Sequence, residues 1–313
     1  MTTQSTEPSL LAGAAYGSAA SLIWAGFPTV TKLAMASQAL TAWDVTALRF
    51  GAAGLILAPI LLRRGFKGLR WPAVLLLACG AGAPYVLLTA GGLAFAPAGH
   101  MGIITPSCML LTTTLGSWLL LGDRLTAGRI AGALTILIGL VMLGWDGLAN
   151  HGDLAWLGDL MFVAGGLFWA SYTIGSRYWA VEPFQATVIV SGVSLLLYVP
   201  AYAALTGASL AAAPWQEIAI QAVFQGLLSA IVALICYTRA VKMLGAARGA
   251  VFAALVPSFS LLVAIPTLHE IPTSLQIVGV LFVTAGMVLA LGLYDRAKWR
   301  RSSRALEAPA HEP

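Results

Sequence analysis

Leu121–Leu143 reads LGDRLTAGRIAGALTILIGLVML, and Leu268–Ala290 reads LHEIPTSLQIVGVLFVTAGMVLA. Set over one another at a lag of 147, they share Leu121/Leu268, Thr126/Thr273, Ile130/Ile277, Gly132/Gly279, Leu134/Leu281, Gly139/Gly286 and Val141/Val288. An acid stands near the head of each, Asp123 and Glu270. Self-similarity at this distance means a duplicated structural unit, and it constrains the architecture before any local reading does. Each copy is also an apolar run close to the ~20 residues that a helix needs to cross a ~30 Å hydrocarbon core. The chain reads as a duplicated membrane protein.

Composition agrees. Of 313 residues, 59% are hydrophobic and 9% charged, whereas a soluble domain carries about 25% charged residues. The net charge of +5 does not point to nucleic acid, because the cations cluster in short gaps between apolar runs. Cys79, Cys108 and Cys236 lie within apolar segments without CxxC spacing and read as small buried hydrophobes. The N-terminus MTTQSTEPS has no basic n-region, so no cleavable signal peptide is expected.

Outward from the repeat, ten apolar runs are predicted near 10–31, 43–62, 72–93, 98–121, 129–145, 157–176, 185–205, 216–240, 246–267 and 273–294. The fifth is short, and the eighth begins beside Glu217. The halves also match at a lag of 145, with Gly13, Ala19, Leu22, Trp24 and Ala25 against Gly158, Ala164, Leu167, Trp169 and Ala170, and Lys32 opposite Arg177. Five spans per half is an odd number, so the second half enters the bilayer upside down. Inverted repeats place a site near the midplane where the halves meet, with alternating access about it. The expected fold is an all-α integral membrane protein of ten transmembrane helices in two inverted five-helix repeats, 10–145 and 157–294. A cytoplasmic segment 1–9, a periplasmic linker 146–156 and a basic, disordered cytoplasmic tail 295–313 complete it.

With the N-terminus in the cytoplasm, the inner gaps and tail hold 15 of the 17 Lys and Arg residues, Lys32 alone lies outside, and Arg49 falls within the second run. Cytoplasmic loops are enriched in Lys and Arg. Asp and Glu total 12, and none falls near mid-span. A proton-driven carrier usually keeps a carboxylate at depth. Its absence favours a uniporter, or coupling through His100.

The third run into the fourth, YVLLTAGGLAFAPAGHMGIITPSCMLL, parallels the eighth into the ninth, CYTRAVKMLGAARGAVFAALVPSFSLL. Each has a small-residue link and then a proline inside the next span, Pro106 or Pro257. Together with the Trp-Ala of the first span, the terminal acid and the Thr…Ile-x-Gly…Gly helix, this resembles the EamA-type branch of the drug/metabolite transporter superfamily, and within it the YddG-type amino-acid exporters of bacterial inner membranes. The resemblance covers residues 10–294. It implies a ten-helix carrier with both termini cytoplasmic and a central substrate cavity. Asp123 stands where the family's first half has a Glu, and the halves differ by four residues between proline and acid.

A proline inside a span frees the carbonyl one turn earlier, so Pro106 and Pro257 read as hinges beside the cavity or as static kinks. Trp24, Tyr85, Trp169, Tyr172 and Tyr237 could stack on an apolar or aromatic substrate. The competing reading is plain packing or an interfacial belt. His100, near the outer end of the fourth run, reads as a substrate contact, a pH-responsive group or a histidine held near the headgroups. Arg49 could pair with Asp44, snorkel outward or meet an anion, with bundle structure as the expected job. The glycine faces of the fifth and tenth runs, and the GxxxG of Gly128 and Gly132, mark packing or dimer contacts.

No HExxH, GxSxG or P-loop occurs, and no His/Asp/Glu cluster has metal spacing. The expectation is a non-enzyme without cofactor or metal. Its partners would be a small-molecule substrate and the bilayer, and it would be a monomer or weak homodimer. The alternatives are a drug or nucleoside exporter of the same fold, or a membrane sensor or scaffold that moves nothing.

Overall fold

The computed structural model describes residues 10–150, 154–206 and 209–291. The expected segment 1–9, the linker residues 151–153 with His151 and Asp153, and the tail 295–313 lie outside the described residues.

Among the described residues ten apolar helical spans follow in order: α1 Leu10–Ala36, α2 Ala42–Arg64, α3 Trp71–Gly92, α4 Ala98–Leu121 and α5 Ala127–Asn150, then α6 Ala155–Tyr178, α7 Pro183–Thr206, α8 Trp215–Leu244, α9 Arg248–Leu268 and the shorter α10 Ser274–Ala290. Helices are the expected form, because in hydrocarbon each backbone N–H and C=O must pair within its own segment. The two spans that look weakest in the sequence are not short: α5 has 24 residues and α8 has 30. The shortest is α10, with 17 residues. Lys32 falls inside α1, before its last turn, and Arg177 inside the last turn of α6, rather than in the gaps where the sequence reading places them.

Local chemistry defines the ends. Thr41 opens α2 with a capping box: its hydroxyl accepts from Asp44 N at 3.3 Å, and Asp44 Oδ2 accepts from Thr41 N at 2.7 Å. Thr273 and Gln276 form the same device at α10, each satisfying donors that a helix start leaves orphaned. Leucines on the outer surface, such as Leu115, Leu120, Leu134 and Leu196, are exposed, as lipid-facing positions require.

The inversion is visible in the packing. A Cβ at Gly132 would lie 2.5 Å from Gly286 O and Ala290 N, and one at Gly139 would lie 2.6 Å from Gly279 O. As the numbers on α5 rise, those on α10 fall. The fifth helices of the two repeats therefore pack antiparallel, backbone against backbone, at a distance only glycine allows. The second helices do the same: Gly54 meets Ser191 and Leu195, and Gly192 meets Leu61.

The remaining spans exchange partners. α1 packs on α8 and α9 of the other half, and α6 packs on α3 and α4. Ser260 Oγ donates to Ala25 O at 3.2 Å, and Thr105 Oγ1 donates to Phe162 O at 3.3 Å. These bonds tie α9 to α1 and α4 to α6 in equivalent ways. The packed bodies α1–α8–α9 and α6–α3–α4 thus each mix the two sequence halves.

Candidate functional site

Between these bodies lies a cavity of about 490 Å³, within the range of a small-ligand pocket. Its walls come from α1 to α4 and α6 to α9, while α5 and α10 contribute nothing. The spans around it are irregular. α3 breaks at Gly82, between Trp71–Ala81 and Ala83–Gly92. Its repeat partner α8 carries a π-helical stretch, Ala222–Val232. α9 breaks at Leu255, just before Pro257. Such interruptions are tolerated at membrane depth where they face protein or a wet cavity, and π segments recur at functional sites. Nothing in the sequence foretold the π stretch.

Seven aromatics line the cavity among the described residues: the expected Trp24, Tyr85, Trp169, Tyr172 and Tyr237, and also Phe27 and Phe50, which the sequence reading did not single out. The expected five are arranged by the pseudo-symmetry. Trp24 of α1 meets Tyr237 of α8 with ring centroids 5.4 Å apart, and Trp169 of α6 meets Tyr85 of α3 at 4.8 Å. In each pair the tryptophan of one half's first span faces the tyrosine of the other half's third. Tyr172 adds a ring 5.6 Å from Trp169, and Trp24 Nε1 donates to Ser229 O at 3.3 Å.

Of the two prolines, Pro106 lines the cavity within an unbroken α4, whereas Pro257 is buried at the break in α9 and does not line it. His100 is not in the cavity. It is buried at the start of α4, its Nδ1 2.9 Å from Asp159 Oδ1 and its Nε2 3.1 Å from Gln276 Nε2. It ties α4 to α6 and α10, outside the aromatic cavity in which a substrate contact was expected. Among the described residues the single cation on the wall is Arg49, for which the sequence favoured bundle structure. Asp44, its suggested partner, is engaged by Thr41 and by the Tyr202 hydroxyl. No Asp or Glu among the described residues lines the cavity. Among the described residues no group of three or more His, Cys, Asp or Glu side chains could hold a metal ion.

The two ends of the cavity differ. One end of the molecule carries Arg63, Arg64, Lys67, Arg70, Arg124, Arg129, Arg177, Arg239, Lys242 and Arg248; this is the basic end. At the far end α4 and α9 close on each other: Gly99 faces Leu261, and a Cβ on Gly102 would collide with Ser260. Toward the basic end both helices leave the contact and become opposite walls, through Met109 and Thr113 on α4 and Ala253 and Val256 on α9. On α7 the wall reaches Thr187, close to that helix's basic end at Pro183. The contact between α4 and α9 thus closes the cavity between these two helices at the far end, and the lining runs on toward the basic one.

Each end also holds a cross-half ion pair. At the far end Lys32 Nζ lies 3.0 Å from Glu270 Oε1. At the basic end Arg177 makes a bidentate contact with Asp123, at 3.0 and 3.1 Å. The Arg177 hydrogen bond and charge hold the Asp123 carboxyl below its ordinary range.

The comparisons agree with this architecture. The sequence pattern of the EamA-like transporter family matches residues 11–145 and again 156–292. A protein of Streptantibioticus cattleyicolor described as "Probable terminal-alkyne amino-acid exporter" is 27% identical over 282 residues, spanning 85% of this chain and 92% of that one. A solved crystal structure, 24% identical, superposes with a TM-score of 0.59 over 91% of this chain and 98% of the other; that likeness is one of fold. Two inverted bundles, matched one after the other by the same family pattern and enclosing one aromatic chamber, place the chain in the EamA-like transporter family.

Proposed function

We propose that this membrane transporter is a secondary carrier that exports small, partly apolar metabolites, amino acids including aromatic ones, from a bacterial cytoplasm across the inner membrane. The observation that carries the proposal is the aromatic, carboxylate-free cavity at the crossing of both halves. Its tryptophan and tyrosine faces suit an apolar or aromatic side chain. Description of a 27% identical relative as an amino-acid exporter points the same way.

Ten described cations at one end against Lys32 at the other favour that end as cytoplasmic. The cavity would then be loaded from inside. Alternating access would close the basic end and open the far one. The packing favours the mixed bodies α1–α8–α9 and α6–α3–α4 as the moving parts, with the break at Leu255 and Pro257 as one hinge and Pro106 bearing on the other. Without a carboxylate in the chamber, and with His100 held away from it, the substrate runs down its own gradient.

Counterflow in proteoliposomes tests this, with labelled aromatic and aliphatic amino acids, nucleosides and cationic drugs offered in parallel. Amino acids should exchange, and a protonophore should leave the rate unchanged. Exchange confined to drugs or nucleosides would replace the substrate class. Strict dependence on the proton gradient would overturn uniport, and no exchange of any compound would remove the carrier reading.

A further inference from the structure

We infer that Arg49 binds the carboxylate of the transported molecule and that the chamber makes no demand for an α-amino group. This deepens the proposed export function and rests on it for the identity of the ligand as cargo.

Arg49 is 8% exposed on the wall of the cavity. A guanidinium in a membrane interior is costly unless it is paired or wetted, and among the described residues no carboxylate lies within ion-pair distance of it. Neutral groups hold it instead. Its Nη1 donates to Gln225 Oε1 at 3.1 Å and to Ser229 Oγ at 3.2 Å, both from the π-helical stretch of α8. Gln225 is fixed in turn by donating to Thr31 Oγ1 at 2.8 Å and to Gln221 Oε1 at 3.3 Å. The guanidinium carbon lies 5.1 Å from the centre of the Phe27 ring and 6.0 Å from that of Phe50. The orientation is thus set by one edge of the group, and the other edge is left over: Nε is buried without a partner, and the hydrogen bonds of Arg49 use Nη1 alone.

The Nε–Nη2 edge of arginine is the fork that grips a carboxylate with two parallel hydrogen bonds; here Nη2 is the donor a ligand meets first, and Nε, which is covered, completes the fork once the guanidinium turns toward the ligand. One cation neutralises one negative charge, so a monocarboxylate fits and a phosphate dianion leaves a net charge in the chamber. An ammonium group finds no counter-charge, because among the described residues the wall holds neither Asp nor Glu. The recognised unit is therefore a carboxylate joined to an apolar or aromatic body, and 2-hydroxy or deaminated acids should serve as well as amino acids.

The test measures thermal stabilisation of the purified full chain in detergent by a matched panel: L-phenylalanine, 3-phenyllactate, 3-phenylpropionate, L-phenylalaninamide and 2-phenylethylamine. The three acids should bind at least ~30-fold more tightly than the amide and the amine, the scale of a bidentate charged pair. Arg49→Met should remove that preference, and Arg49→Lys, which keeps the charge without the fork, should fall between. The wild-type panel stands even if Arg49→Met fails to fold. Amide or amine binding as tight as that of the acids overturns the inference, and so does an absence of binding by every acid. Tight, Arg49-dependent binding of acids without counterflow supports the anion site and sinks the carrier reading instead.

Discussion

The far and basic ends of the molecule are built from the same parts and use them differently. Lys32 and Arg177 are repeat equivalents, as are Glu270 and Asp123, and each cation pairs with an acid of the opposite half. At the sealed end the pair has a third partner. Glu270 accepts from the backbone of Ala98 at 3.2 Å and of Gly99 at 3.3 Å, and Lys32 donates to Ala96 O at 2.9 Å. The acid thus caps the first turn of α4, where the helix dipole favours negative charge. At the other end Asp123 contacts Arg177 and, at 3.6 Å, Arg129, and Arg177 also donates to Ser117 at 2.8 Å. None of these contacts reaches α9. The ion pair is common to both ends; the cap on the other body's helix marks the closed one. In the proposed cycle Asp123 takes up the start of α9 when Glu270 lets go of α4.

Substitutions at the seal should give the largest effects. Counting from the two prolines, Gly102 corresponds to Ala253. Both line the cavity, but Gly102 has Ser260 packed against it from the facing helix. Gly102→Leu should hold the far end open by about 10–100-fold in population, the scale of a 1–3 kcal/mol overpacking. Ala253→Leu should leave that seal as it is. Labelling of a cysteine at Ser260 by a far-side, membrane-impermeant maleimide, in a chain cleared of its other cysteines, reads both. Equal rates in the two variants would erase the contrast.

Glu270→Gln keeps the shape of the cap but loses its charge, and should raise the same labelling about tenfold, as expected for a charge-assisted hydrogen bond. Asp123→Asn should leave it unchanged, because Asp123 holds nothing shut in this state.

Charge exchange separates pair from cap. Lys32→Glu with Glu270→Lys restores the pair, yet a lysine cannot accept from Ala98 and Gly99, so far-side labelling should stay as high as in Glu270→Gln. Asp123→Arg with Arg177→Asp should change labelling less than about twofold, since exposed ion pairs are worth little. Full recovery by the far-end exchange would show that the pair alone makes the seal.

The smallest effect concerns pH. Asp123 has its carboxyl held below the ordinary range by Arg177. A depressed carboxylate contributes stability that is complete above its unfolded value of about 3.9 and is lost as pH falls through its folded value. Moving from about pH 7 to about pH 5 should therefore leave the basic-end pair intact. Cross-linking yield between cysteines flanking Asp123 and Arg177 tests it; a fall over that interval would show the pair to be looser than its bidentate geometry.

Much of this was legible in the chain. The lag between Gly132/Gly139 and Gly279/Gly286 foretold two equivalent, closely packed helices, though not that they would pack on each other rather than on a second copy. Trp24, Tyr85 and Trp169 were nameable because they lie deep in otherwise aliphatic spans, and Tyr172 because it shares a helical face with Trp169; Tyr237, near a span end, was the weaker candidate, and Phe27 and Phe50 went unnamed. The pairing of Trp24 with Tyr237 and of Trp169 with Tyr85 was not legible, because it joins residues more than 80 positions apart. For His100 and Arg49 the sequence left several roles open, for one reason. A polar residue in a span must find partners, but the sequence does not say which. His100 found Asp159 and Gln276, and Arg49 found Gln225 and Ser229.

What the sequence determined by itself was the set of spans, their duplication, their inversion and the charges stationed at their ends. These follow from the hydrocarbon thickness, the single-segment pairing of backbone groups and an odd number of crossings, all local or countable. Only the tertiary structure decided which face of each helix turns inward, where α8 unwinds into a π segment, which end is shut and why one arginine stands in the chamber with half of its donors unspent. Those depend on contacts between helices of opposite halves, and a helix that is apolar all round carries no mark of the side that will meet them.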